Sequence, residues 1–350
     1  MQSVGLGVGG PQVSRIALGT ATFGVSPLVE HAADYVRFAV DLGVTHIDTA
    51  NSYGSQPDYD RPGLPSWRER DSAEEIIGNA VRGLGERITV ATKVGELLGD
   101  ARSSQPWQGR LDPAHIMEQA HSSLRRLSRD RIDVYYAHLP DPTTPILETI
   151  AAFDSLIRSG DVGCWGVANY SATELEDLSA AALTEGLHPP VVTQVHYNAA
   201  NRDVEADLVP TVRRRGMGLV AYSPLAMGLL SGEASAARAW SGSARWGGER
   251  FSPAEVAVAG RFETAAQSLG LSAAQAAIAW LLHQRDVSAA AVGATSPAHL
   301  QDAVDGAAAT LTPAGLKTLE RALIGATSVA HLDTVQNCNQ TDETDSLERI

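Results

Sequence analysis

The sequence predicts an α/β fold, a (β/α)8 TIM barrel in which eight parallel strands alternate with helices. Three observations predict it. Eight short apolar, β-branched runs recur along the chain, helix-start signals fall between them, and polar side chains collect where the runs end.

The runs cover residues 16–19, 45–48, 88–93, 132–138, 164–169, 191–194, 218–222 and 288–293. Near-continuous apolar strands of this length suit a parallel sheet covered on both faces. Between them, Ser72 with Glu75, Ser171 with Glu174 and Ser272 with Gln275 have the spacing of capping boxes. Asp112-Pro113 and Ser296-Pro297 place a capping residue before a proline at the first helical position. After Pro113, Ile116, Met117, Ala120, Leu124 and Leu127 line one side of a helix. An open, doubly wound sheet is the rival architecture. It calls for Gly-x-Gly-x-x-Gly after the first strand, and Gly19-Thr20-Ala21-Thr22-Phe23-Gly24 does not fit.

Residues 4–6 and 12–14 flank Gly9-Gly10 and read as a small N-terminal hairpin. Residues 55–71 and 231–252 read as long loops on the C-terminal face, of the kind that form lids or binding walls. The expected organisation is one barrel over residues 1–330 and an acidic C-terminal extension over 331–350. A chain of 350 residues is often two domains, but α/β barrels fill that length as one.

The formal charge of −14 argues against a nucleic-acid binder, which needs a basic stripe. Cys164 and Cys338, the two cysteines, have no metal spacing and suggest a reducing compartment. No signal peptide and no run of about 18 apolar residues is present, so no membrane partner and a cytoplasmic location are expected.

Asp48, Lys93, His138, Asn169, Gln194 and Tyr222 all fall at or near strand C-termini, the face where such barrels carry active sites. Tyr53 follows the second strand closely enough to lean over the same mouth. A phenol, with a pKa of about 10, is a poor acid at neutral pH unless perturbed. Lys93 beside it favours the phenolate, Asp48 keeps a buried lysine charged, and His138 can orient a carbonyl oxygen. Together they can deliver a proton to a developing alkoxide. A strand-end aspartate can simply cap a helix, and Tyr53-Gly54 can be a plain turn; four complementary residues on successive units outweigh those readings. A metal-dependent hydrolase built on His46, Asp48, His138 and His196 is the weaker alternative, because it calls for a denser ligand set.

The segment Ile47-Asp48-Thr49-Ala50-Asn51-Ser52-Tyr53-Gly54, followed by Glu74-Glu75-Ile76-Ile77-Gly78, resembles the aldo-keto reductase signature. Thr92-Lys93, Tyr135-Tyr136-Ala137-His138-Leu139-Pro140-Asp141, Gly166-Val167-Ala168-Asn169-Tyr170, Thr193-Gln194 and Tyr222-Ser223-Pro224-Leu225 with Gly228-Leu229-Leu230 match its later blocks in order. The chain resembles the potassium-channel-β-like and sugar-aldehyde reductase branches over about residues 4–325. The resemblance implies a catalytic tetrad of Asp48, Tyr53, Lys93 and His138, with Tyr53 as general acid. It implies that Asn169 and Gln194 hold a nicotinamide carboxamide, that Tyr222 stacks on the ring, and that Ser223, Pro224 and Leu225 run beside the pyrophosphate. Thr20, Asp48, Gly228, Leu229, Arg245, Gly293, Thr295, His299 and Asp302 complete the expected cofactor contacts. Two positions depart from the pattern: Ser231-Gly232 leads to Glu233 where many relatives have lysine, and Asp302-Ala303 stands where relatives often show Glu-Asn. NADPH is expected, with NADH as the alternative.

The expected reaction is reduction of an aldehyde or ketone, sugar-like or aromatic, at a mouth lined by Thr22, Phe23, Trp67 and Leu139. The alternatives are an aldose dehydrogenase running in the oxidative direction and a non-catalytic cofactor-binding subunit. The oligomeric state is left open.

Overall fold

A computed structural model describes residues 1–60, 62–96, 109–237 and 251–325. Arg245, Cys338, the extension 331–350 and much of the 231–252 loop lie outside the described residues.

Eight parallel strands close into a barrel: β3 (Ile16–Gly19), β4 (His46–Asp48), β5 (Thr89–Val94), β6 (Ile132–Ala137), β7 (Val162–Ala168), β8 (Val192–His196), β9 (Gly218–Tyr222) and β10 (Ala289–Val292). They follow chain order around the barrel, and β10 returns to β3. The predicted (β/α)8 fold is thus observed, each strand lying on one of the eight apolar runs. Ahead of it, β1 (Ser3–Gly5) and β2 (Gln12–Ser14) pair as the expected antiparallel hairpin, Ser3 opposite Ser14.

Side chains alternate between two cores because the strand period is two. Ile16, Leu18, Ile47, Val90 and Trp165 face outward into the layer beneath the helices. Ala17, Ala91, Val134, Tyr136, Cys164, Val192, Val220 and Ala289 pack with Leu6 and Val13, next to the hairpin, in a second cluster. The inward positions near the strand C-termini are instead polar. Asp48 pairs in register with Gly19 and Ala91, and Lys93 with Tyr136.

All three expected capping boxes form, and the sequence hides a fourth: Ser252 accepts from the backbone of Glu255 and starts the helix Pro253–Ser268. The 231–252 segment is also not a loop from its start, because Glu233–Ala236 makes a helical turn after Gly232. Glu263 stabilises that turn by accepting from the Glu233 N–H at 2.9 Å.

A buried ion pair anchors two helices to β5. Glu74, on the helix Ala73–Ala80, has no exposed surface and accepts from the Thr92 hydroxyl and from Arg126 Nε at 2.6 Å. Arg126 comes from the helix Pro113–Leu127. The helices touch at Gly78, where a Cβ would fall 2.4 Å from the Arg126 carbonyl oxygen. Removing Arg126 leaves the Glu74 carboxylate buried and uncompensated. Arg126→Ala should lower unfolding stability by about 3 kcal/mol. Urea denaturation tests this, and a loss below about 1 kcal/mol, the range of a surface pair, would show that the pair is not structural.

Candidate active site

Asp48, at the end of β4, is 3% exposed. Its backbone carbonyl is fixed by Thr20, which donates both its N–H and its hydroxyl at 3.0 Å. Its carboxylate accepts from Lys93 Nζ at 2.6 Å on one oxygen and from Gln194 Nε2 at 2.7 Å on the other. Lys93 is wholly buried, and its ammonium donates to Asp48, to the Thr49 carbonyl at 2.9 Å and to the Tyr53 phenol oxygen at 3.3 Å. An ammonium has three donors, and here it meets three acceptors. That satisfaction lets a buried lysine stay charged.

Tyr53 is held by the turn that the sequence leaves ambiguous. Its carbonyl accepts from the Ala73 N–H at 2.9 Å, where the next helix begins. Gly54 follows with φ +89°, and a Cβ there would lie 2.9 Å from that same nitrogen. Glycine therefore permits the close approach that sets the tyrosine. The Tyr53 ring meets His138 edge to face, centroids 5.9 Å apart. His138 follows β6, its N–H donating to Val94 and its carbonyl accepting from Asn169 Nδ2 at 3.0 Å. Sequence reasoning missed Glu96, whose Oε2 stands 3.4 Å from His138 Nδ1. Its one visible signal is the spacing Lys93-Val94-Gly95-Glu96, which carries a second charge past the same strand end.

The other arc of the mouth is also connected. Asn169 adopts a left-handed φ of 65°, and its Oδ1 accepts from the Tyr222 hydroxyl at 2.8 Å. Tyr222 is backed by His196, rings near parallel with centroids 5.5 Å apart. Asn198 decides the His196 proton. Its Oδ1 accepts from the Ala200 and Asn201 N–H groups, so its amide nitrogen faces His196 Nε2 at 3.2 Å. Nε2 is thereby the acceptor, and the ring is neutral with its proton on Nδ1. His196 thus supports Tyr222, a role the sequence did not suggest. His46 is enclosed inside the barrel, where burial pushes its imidazole down to about 4. Among the described residues no three His, Cys, Asp or Glu side chains converge as a metal site.

The loop after β9 carries Ser223, Ala226 and Met227 at positive φ, with Gly228 at 104°; Pro224 and Leu229 are buried and Leu225 is partly exposed. After β10, Gly293 leads to Thr295 and His299, which lie 3.1 Å apart and exposed at the start of the helix Pro297–Ala308. Ser296 caps that helix. Two expectations need correction. Asp302 is turned to Ser272, accepting from its hydroxyl at 2.9 Å, and so serves a contact between helix starts. Phe23 is 1% exposed and packs edge-on against Tyr35 in the outer core, so it does not line the mouth. Thr22 and Leu139 are also buried, and the Thr22 hydroxyl donates to the Ser26 carbonyl.

The 55–71 segment is an ordered wall. Arg70, 9% exposed, donates to the carbonyls of Gly54, Gln56 and Pro65 and to the Asp60 carboxylate at 2.7 Å. Trp67 is partly exposed, with the Arg68 guanidinium 4.2 Å above its ring.

A closed (β/α)8 barrel with Asp, Tyr, Lys and His gathered at its C-terminal mouth defines a class that comparison with known proteins makes specific. The Aldo/keto reductase family model matches residues 15–324. A probable voltage-gated potassium channel subunit beta of Arabidopsis thaliana is 32% identical over 339 residues, 92% of this chain and 97% of that protein. A putative subunit of the same name from Schizosaccharomyces pombe is 31% identical, over 91% and 92%. An uncharacterized oxidoreductase, YrpG, of Bacillus subtilis is 31% identical, over 87% and 90%. The chain belongs to the aldo/keto reductase family, whose members are oxidoreductases that generally bind nicotinamide cofactors.

Arg70→Ala removes the donors that gather the wall. It should raise the KM for a carbonyl substrate at least about tenfold, since hydrogen bonds to a charged group are worth roughly 1.5–3 kcal/mol each. Cofactor affinity should hold. Steady-state kinetics with fluorescence titration of the cofactor checks this, and an unchanged KM would show that the wall does not face substrate.

Proposed function

We propose that the protein reduces an aldehyde or ketone to an alcohol with NADPH, Tyr53 supplying the proton. The observation that carries this reading is the Lys93 ammonium, shared among Asp48, Thr49 and the Tyr53 phenol oxygen. It places a fixed positive charge beside the one group that must give up a proton.

The residues present fit a nicotinamide. A partly exposed Tyr222 backed by His196 suits stacking against a flat ring. The amides of Asn169 and Gln194 suit a carboxamide. Because Gln194 gives its Nε2 to Asp48, it would meet that carboxamide through its carbonyl oxygen. When bound, the reduced nicotinamide supplies the hydride.

The chain's own residues do the rest. His138 donates a hydrogen bond to the carbonyl oxygen and orients it. Tyr53 passes its phenolic proton to that oxygen as the alkoxide forms, and Lys93 stabilises the phenolate left behind. Asp48 holds Lys93 in its charged form throughout.

NADPH is favoured by the chemistry after β10. Ser296, Thr295 and His299 sit at a helix start where N–H groups and a hydroxyl suit a phosphate. Glu233 weighs against it less than its charge suggests, because its carboxylate lies over Gly260 of a neighbouring helix. The printed names of the plant and yeast relatives favour a second reading, a cofactor-binding subunit of a larger assembly. No single helix among the described residues is long and apolar enough to cross a membrane; a cytoplasmic setting is part of the proposal.

Tyr53→Phe should bind NADPH nearly as the parent does and reduce carbonyls about 100-fold more slowly or worse. Stopped-flow oxidation of bound NADPH by a reactive aldehyde tests both readings. Parent turnover that survives Tyr53→Phe removes the proton-donor role, and no parent turnover favours the regulatory subunit.

A further inference from the structure

Glu96 is 5% exposed, and no step above uses it. It lies three residues beyond Lys93, past the end of β5. The Ser52 hydroxyl donates to Oε2, and Gln56 Nε2 stands 3.5 Å from both carboxylate oxygens. Ser52 and Gln56 flank Tyr53 in the sequence, so the carboxylate is built into the wall that carries the proton donor. On its other side it meets His138, with Nδ1 3.4 Å from Oε2.

We propose that Glu96 is a positioning residue that keeps His138 doubly protonated, so that a substrate carbonyl is met by an imidazolium rather than by a neutral ring. An ionised carboxylate only accepts, so the nitrogen facing it carries a proton. In a neutral ring the other nitrogen then holds a lone pair and cannot donate to a carbonyl oxygen. A His138 that polarises a carbonyl while facing Glu96 must therefore carry both protons. A nearby anion in a water-poor pocket favours that cation.

The other groups around His138 leave the balance with Glu96. Tyr53 faces it across 5.9 Å as a phenol. Lys93 opposes a second cation, but its charge is matched by Asp48 at 2.6 Å. Asn169, from β7, is uncharged. Asp141, three residues on, is committed to the Leu111 and Thr143 N–H groups and to the Thr143 and Thr144 hydroxyls.

In reduction, hydride reaches the carbonyl carbon, the Tyr53 proton reaches the oxygen, and the imidazolium keeps both of its protons. Reduction should therefore weaken as pH rises through the His138 pKa, which the carboxylate raises. The uncharged ring suits the reverse reaction, where its bare nitrogen can accept from an alcohol O–H.

This proposal rests on the carbonyl-reductase reading for its kinetics, but not for its direct test. His138 can be followed by 15N NMR in the whole chain, assigned among the ten histidines by His138→Gln. In Glu96→Gln the ring should lose its second proton about one pH unit lower than in the parent. The falling limb of kcat for reduction should move with it, lowering kcat about tenfold at neutral pH with KM nearly unchanged. Glu96→Asp should recover part of both effects, and it carries the same comparison if Glu96→Gln does not fold. Identical His138 titrations in parent and variant would overturn the proposal. So would a change confined to KM, which would mean that Glu96 contacts substrate. If the parent turns over no carbonyl, the reductase reading fails while the NMR comparison still decides the role of Glu96.

Discussion

The Asp48–Lys93 pair is the constraint on which the rest of the site depends. A lysine with no exposed surface is stable as a cation only where its hydrogens are satisfied and an anion balances it. Both conditions are met from different strands. β4 supplies Asp48 and the Thr49 carbonyl, and the turn after β4 supplies Tyr53. Asp48 is in turn fixed by Thr20 after β3 and by Gln194 on β8. Groups far apart in sequence act together because the closed barrel brings the ends of β3, β4, β5 and β8 to one mouth.

The residues expected to hold the cofactor belong to the same network. Gln194 donates to Asp48, Asn169 donates to the His138 carbonyl, and Asn169 accepts from Tyr222. The proton-delivering arc and the ring-stacking arc are thus one continuous set of hydrogen bonds. A change at either is transmitted through one or two side chains, and effects of substitutions there should not add. The 55–71 wall is separate, organised by Arg70 on backbone carbonyls outside that network. That division lets a wall vary without disturbing the acid.

The barrel was legible because strand period and capping chemistry are local signals. Ser72 with Glu75 lies within four residues, and the structure forms that box as written. The tetrad was legible because strand ends share one face. What escaped depends on partners distant in sequence. Glu74 reads only as part of a motif until Arg126, 52 residues later, is seen to neutralise it. The proton position on His196 is set by Asn198, whose own orientation depends on two backbone N–H groups. Phe23 was misjudged because a residue just past a strand end can turn into the outer core, here toward Tyr35, as easily as toward the mouth. Glu96 was overlooked because a glutamate beyond a strand end reads as surface charge until Ser52 and His138 enclose it.

The most direct test of the account is the single-turnover rate of hydride transfer in the double variant Asp48→Asn/Lys93→Met. Removing both charges avoids leaving either one buried alone, so the fold should persist. The account predicts that NADPH still binds and that its oxidation by a reactive aldehyde slows by at least about 100-fold. A rate within about tenfold of the parent, with cofactor bound, would contradict the claim that the buried pair makes Tyr53 an acid.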